Sequence, residues 1–162
     1  MFNLKLKTYL KFILIISLIS IISAYYIEYI LGHQPCNLCL IERIPYLLST
    51  LLIITFYVLN KNIKFLIFLL SLIFIFSLVI SIYHLGIEQG FFQESAVCRL
   101  NGSFETTSKE ELLEQLSQKN VSCKDVTFRF FGFSLTTINV VLSLFLSSLL
   151  IKILTNYEKF KK

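Results

Sequence analysis

Four long apolar runs dominate this chain of 162 residues and leave it little choice of fold. They cover about residues 12–31, 42–60, 64–85 and 133–154, the first extending to Leu31 if Glu28 lies at an interface. Each comes close to the ~20 residues a helix needs to cross a ~30 Å hydrocarbon core. Within each run the apolar residues are continuous rather than alternating, which disfavours a β-barrel. A helix satisfies its backbone groups inside one such segment. The expected fold is therefore all-α: an integral-membrane four-helix bundle, one membrane domain over residues 1–162, with two loops on one side at 32–43 and 86–132. Composition agrees, with 56% hydrophobic and 15% charged residues against roughly 45–50% and about 25% in soluble domains. An ordinary soluble enzyme, a disordered tail and a collagen-like chain are excluded. Five glycines and two prolines leave the helices few breaks.

Lysine placement orients the bundle. Lys5, Lys7 and Lys11 precede the first run, Lys61 and Lys64 join the second to the third, and Lys152, Lys159, Lys161 and Lys162 end the chain. All fall on one side of a four-span bundle, and the positive-inside rule makes that side cytoplasmic. The net charge of +5 then reflects retained lysines rather than nucleic-acid binding. The first run resembles a secretory signal and Ile22-Ser23-Ala24 offers small residues for cleavage, but its length and the three later spans predict that it stays uncleaved. The loop at 86–132 holds seven of the ten acidic residues. Within it Ser108-Lys109-Glu110-Glu111 is a capping box. Leu112, Leu113 and Leu116 share one face there, so a short amphipathic helix over 108–118 is expected, lying in the headgroup region or on top of the bundle.

The four cysteines, Cys36, Cys39, Cys98 and Cys123, all fall on the non-cytoplasmic side. An oxidising compartment points to disulfides. Cys36-Asn37-Leu38-Cys39 is a Cys-x-x-Cys pair. A bridge across two residues removes little chain entropy, and its usual use is redox, since thiol pKa values fall at a helix start. Cys98 and Cys123 close a longer loop that is structural or redox-active. Two structural bridges and a Cys₄ zinc site are the plainer alternatives. Zinc sites usually pair two Cys-x-x-Cys knuckles, and the second is missing, so no metal is expected. Leu40 in place of histidine removes a c-type haem site.

Arg43 follows Cys39 by four residues, on the same helix face. There it either stabilises a Cys39 thiolate with the helix dipole or snorkels to headgroups. His84 closes the third span at the depth of Cys39 and Arg43, with Glu88 four residues on. It is an interface residue or part of the same site. His33 and Gln34 carry no role beyond the loop.

The stretch Gln34-Pro35-Cys36-Asn37-Leu38-Cys39-Leu40-Ile41-Glu42-Arg43 closely resembles the signature of the DsbB family of bacterial disulfide bond formation proteins. Tyr83-His84-Leu85-Gly86-Ile87-Glu88 resembles a second block of that family. Cys123-Lys124-Asp125-Val126 followed by Phe128-Arg129-Phe130-Phe131-Gly132-Phe133-Ser134-Leu135 resembles a third. The likeness runs from Gln34 to the end of the fourth span and matches the order of spans and loops. It departs in having no tryptophan, which the family often carries near the last motif and in the loops.

The resemblance implies a multi-pass protein of the bacterial inner membrane, with active-site loops on the periplasmic side. It implies a thiol:quinone oxidoreductase that reoxidises a periplasmic DsbA-type thioredoxin-fold oxidase and passes the electrons to a membrane quinone, ubiquinone or menaquinone. A quinone-linked system of this kind keeps the periplasm oxidising. By position, Cys98 forms the mixed disulfide with the partner, Cys123 exchanges with Cys36, and Cys39 is the thiolate facing the quinone. Arg43 beside it, His84 nearby and Glu42 of the same motif complete the implied cofactor-binding set. Two alternatives stand beside this one. A vitamin K epoxide reductase-like protein would carry its Cys-x-x-Cys near the end of the helical core, not at the opening of the second helix. A non-enzymatic membrane subunit would hold structural disulfides that resist mild reductant.

Overall fold

The computed structural model describes residues 4–59, 62–94, 98, 122–124 and 128–157. The amphipathic segment expected over 108–118 lies outside them. Among the described residues four helices form a bundle: α1 (Leu4–Tyr29), α2 (Asn37–Leu59), α3 (Ile63–Glu88) and α4 (Leu135–Thr155). All four are long and apolar enough to span a membrane. Large apolar side chains such as Ile22, Leu51, Val79 and Val141 face outward, as lipid rather than water requires.

Helix ends depart from the apolar runs where local bonding decides them. Helix α1 begins at Leu4 rather than near residue 12, because nothing breaks it among its lysines. Helix α2 begins at Asn37 rather than residue 42, because Cys36 caps it: the Cys39 backbone N–H donates to Cys36 Sγ at 3.3 Å. Pro45 sits within α2, where it removes one backbone donor, yet the helix runs through. Helix α4 begins at Leu135 rather than 133. Phe133 and Ser134 are instead strand β2, paired antiparallel with β1 (Arg129–Phe130) through a two-residue turn. Phe131 and Gly132 both have positive φ, 50° and 85°, as a hairpin turn matched to strand twist demands. Ser134 then caps α4, its hydroxyl accepting from Thr137 N–H at 3.2 Å.

The core lies in the half of the bundle nearer the termini. Ile13, Ile53, Leu66, Ile67, Leu70, Phe74, Leu146 and Leu150 interlock there from all four helices. Buried serines let the backbones approach. Ser17 and Ser49 join α1 to α2 at 3.1 Å, and Ser77 and Ser143 join α3 to α4 at 3.0 Å. A second, smaller cluster sits at the opposite end, where Cys36, Leu38, Ile87 and Cys123 are buried together with Cys39 and Cys98 packed against them.

Candidate functional site

The site grows from the two helix ends that meet in the smaller cluster. Cys36 precedes α2 and Cys39 lies in its first turn, so their Sγ atoms face each other at 2.9 Å as free thiols. Cys98 and Cys123 are joined in a disulfide with Cα atoms 5.9 Å apart, packed on the same cluster. All four cysteines are thus in one place, although the long loop separates them in sequence.

His84, on the last turns of α3, is buried behind the inner pair. Its Nε2 lies 3.5 Å from Cys36 Sγ, and its Nδ1–H donates to Glu42 Oε1 at 2.9 Å. Sulfur, imidazole and carboxylate are therefore in line. Glu88, one turn on in α3, accepts from the Ser134 hydroxyl at 2.9 Å. The Cys36 thiol is pulled down to about 4. The Cys39 thiol donating to it is the largest cause, opposed by burial and reinforced by the hydrogen bond and charge of His84 and by the Cys39 N–H. Hydrogen bonds from the Cys39 thiol and His84 thus favour the thiolate of Cys36 in this dithiol form.

Arg43 reaches from α2 towards α1. Its guanidinium pairs with Glu28 of α1 and lies 5.0 Å over the Tyr25 ring. Glu28 is thus held by Arg43. Between α1, α2 and α4 lies a cavity of about 190 Å³. Cys39, Glu42, Arg43, Tyr46 and Asn139 form its polar end, with walls from Ile21, Ala24, Ile27, Ile138 and Leu142. His33 and Gln34 also line it, and His33 packs on the Phe128 ring at 5.2 Å. Cys36 and His84 do not line it; they reach it through Cys39 and Glu42.

Two residues that sequence reasoning passed over belong here. Asn139 of α4 donates to Glu42 Oε2 at 2.9 Å and to Ser81 Oγ at 2.8 Å, and accepts from the Tyr46 hydroxyl. The signal was present, since a lone amide inside an apolar span is costly unless bonded and is usually functional. Gly86 is the other. Phe92 folds back on it, its N–H and that of Phe91 donating to the Gly86 carbonyl at 3.1 and 2.8 Å, and the Phe92 ring stacks on Tyr83. A side chain at Gly86 would strike that ring.

Cys36 Sγ, Cys39 Sγ and a His84 ring nitrogen lie within 4.8 Å of one another. They form a dithiol centre set between a second disulfide and an apolar cavity. Fold and site together define a membrane-embedded thiol–disulfide protein, four spans carrying two cysteine pairs at one end. The family model of Disulfide bond formation protein DsbB matches residues 7–153, and the chain belongs to that family. It is accordingly a membrane oxidoreductase of disulfide bond formation. A protein of Rickettsia prowazekii (strain Madrid E), named only as the uncharacterized protein RP370, is 32% identical over 131 residues, covering 80% of this chain and 76% of that one. No solved structure matches the chain.

Proposed function

We propose that the protein reoxidises a periplasmic DsbA-type thiol oxidase and passes the electrons through its two cysteine pairs to a membrane quinone. Both termini are then cytoplasmic and the cysteine end faces the periplasm of a bacterial inner membrane. The observation that carries this reading is the position of the inner pair, with one face against the Cys98–Cys123 disulfide and the other on a membrane-level cavity. The cavity residues fit a quinone: apolar walls suit a flat ring, and Arg43, Tyr46 and Asn139 offer donors to carbonyl oxygens at the polar end. Bound there, a quinone supplies a sink for two electrons and two protons.

The residues divide the work by access. Cys98 lies in the loop that a soluble protein reaches, so the partner's thiolate attacks its sulfur and Cys123 leaves. Cys123 then attacks Cys36 of the oxidised inner pair, and Cys39 is released as the thiolate on the cavity wall. Thiol exchange is fast when the attacking sulfur is ionised and its leaving group is a weak base. The partner's second thiolate then releases Cys98, which attacks Cys123 and restores the Cys98–Cys123 disulfide; Cys36 is the leaving group, and its low pKa favours that step. Arg43, held by Glu28, supplies positive charge beside Cys39.

Reconstitution with a quinone and a reduced thioredoxin-fold partner tests the scheme. In Cys123→Ser, Cys98 is a free thiol that attacks the disulfide of the oxidised partner, and a covalent complex between Cys98 and the partner should accumulate on a non-reducing gel because the thiol that would resolve it is gone. Cys98→Ser should abolish that complex yet still reduce quinone from a small dithiol, and Cys39→Ser should block quinone reduction from either donor. Capture of the partner by Cys98→Ser, or quinone reduction by Cys39→Ser, would refute the order of exchange.

A further inference from the structure

The cavity touches one sulfur of the inner pair and not the other. Cys39 lines it, whereas Cys36 is buried behind the wall. Converting the pair to a disulfide forms one S–S bond and releases two electrons and two protons, one proton from each thiol. The Cys39 proton can leave straight into the cavity. The Cys36 proton has no direct exit there. It does have His84 Nε2 at 3.5 Å, the other ring nitrogen 2.9 Å from Glu42 Oε1, and Glu42 on the cavity wall. These groups make a continuous line from the buried sulfur to the cavity that passes around Cys39.

We infer that His84 and Glu42 form a proton relay from Cys36 to the cavity, and that Asn139 is the positioning residue that holds Glu42 in it. The inference rests on the reading of the cavity as the quinone site. In the reduced chain the Cys36 proton is shared with Nε2. As the S–S bond forms, the imidazole keeps that proton and gives the one on Nδ1 to Glu42 Oε1, so one proton has moved from the sulfur to the cavity wall. The electron pair and both protons pass to the quinone, which becomes the quinol. When the pair is reduced again, the donor dithiol supplies two protons along with its two electrons.

Asn139 fits the positioning role because its amide N–H groups pin the other carboxylate oxygen, Oε2, while bonding Ser81, and its carbonyl is fixed by Tyr46. Glu42 Oε1 is thereby left aimed at His84. Three helices are tied at one amide, and an amide at this depth is tolerated only when it is so bonded. Among the described residues the other titratable or charged groups around the relay are Cys39 and Tyr46 on α2, Tyr83 and Glu88 on α3, His33 before α2, and the Arg43–Glu28 pair between α2 and α1. Helix α4 faces it with the neutral amide of Asn139.

The test uses the full chain carrying Cys98→Ser and Cys123→Ser, reduced with a small dithiol, so that only the inner pair holds electrons. Without quinone, the pH profile of Cys36 alkylation is read by peptide mass spectrometry. Glu42→Gln should raise its midpoint by about one unit, because the imidazolium that supports the thiolate loses its carboxylate, and Asn139→Ala should raise it less. With a soluble quinone, Glu42→Gln should slow reduction by about tenfold or more at unchanged quinone affinity, the scale of a lost general acid. Glu42→Asp, which keeps a carboxyl, should recover part of the rate. A Glu42→Gln rate within about twofold of the parent, or an unmoved alkylation midpoint, would overturn the relay while leaving the quinone reading intact. A parent chain that binds and reduces no quinone would overturn both.

Discussion

The ion pair between Glu28 and Arg43 is the contact that sets the guanidinium beside the cavity, and its strength can be worked out and measured. The two side chains are 20% and 12% exposed. Unit charges in contact are worth about 1 kcal/mol in water and about 4 kcal/mol at the effective dielectric near a protein surface. Partial burial puts this pair between those limits, at about 2 kcal/mol, with the Tyr25 ring under the guanidinium adding about 0.5–1 kcal/mol of its own. A double-mutant cycle with Glu28→Gln and Arg43→Gln isolates the first figure. Thermal or denaturant unfolding in detergent should return a coupling of about 2 kcal/mol, and quinone affinity should fall about tenfold or more in Glu28→Gln as Arg43 is released towards headgroups. A coupling below about 0.5 kcal/mol would mean the pair behaves as an exposed surface bridge, and the argument that Glu28 positions Arg43 would fail.

Other outcomes follow from the same geometry. Cys36 alkylation should stay fast from about pH 5 upward and fall only as pH drops through about 4, where the thiolate is protonated; a midpoint near the ordinary value of 9 would contradict its hydrogen bonding. Gly86→Ala should displace the half-exposed Phe92 ring from Tyr83, losing an aromatic pair worth about 0.5–1.5 kcal/mol, so the substitution should be less favourable in the parent than in a Phe92→Ala background; the same effect in both backgrounds would refute the close approach. Alkaline phosphatase fused near Glu105 should be active and a fusion after Asn60 inactive, because the lysines of the termini and of the short connection share one side; the reverse pattern would overturn the orientation.

Much about this protein is determined by its sequence alone, because the bilayer imposes a one-dimensional rule. A span must be about 20 apolar residues long and must be helical, so four runs and their lysines are enough to write down the bundle. The Cys-x-x-Cys at a helix start and Arg43 one turn on are local relations that helical spacing fixes. The tertiary structure decided what lies between helices. No spacing rule joins Glu42 to His84, Glu28 to Arg43, or Asn139 to Glu42, since each pair comes from different spans and depends on how those spans rotate and cross. Nor could spacing show that Cys39 opens on the cavity while Cys36 sits behind it against His84. Helix ends were equally out of reach, because a hydrogen bond to a cysteine sulfur begins α2 and a two-residue turn with positive φ delays α4. Hydrophobicity marks where a chain enters lipid; side-chain packing and hydrogen bonding among neighbouring helices mark where its chemistry happens.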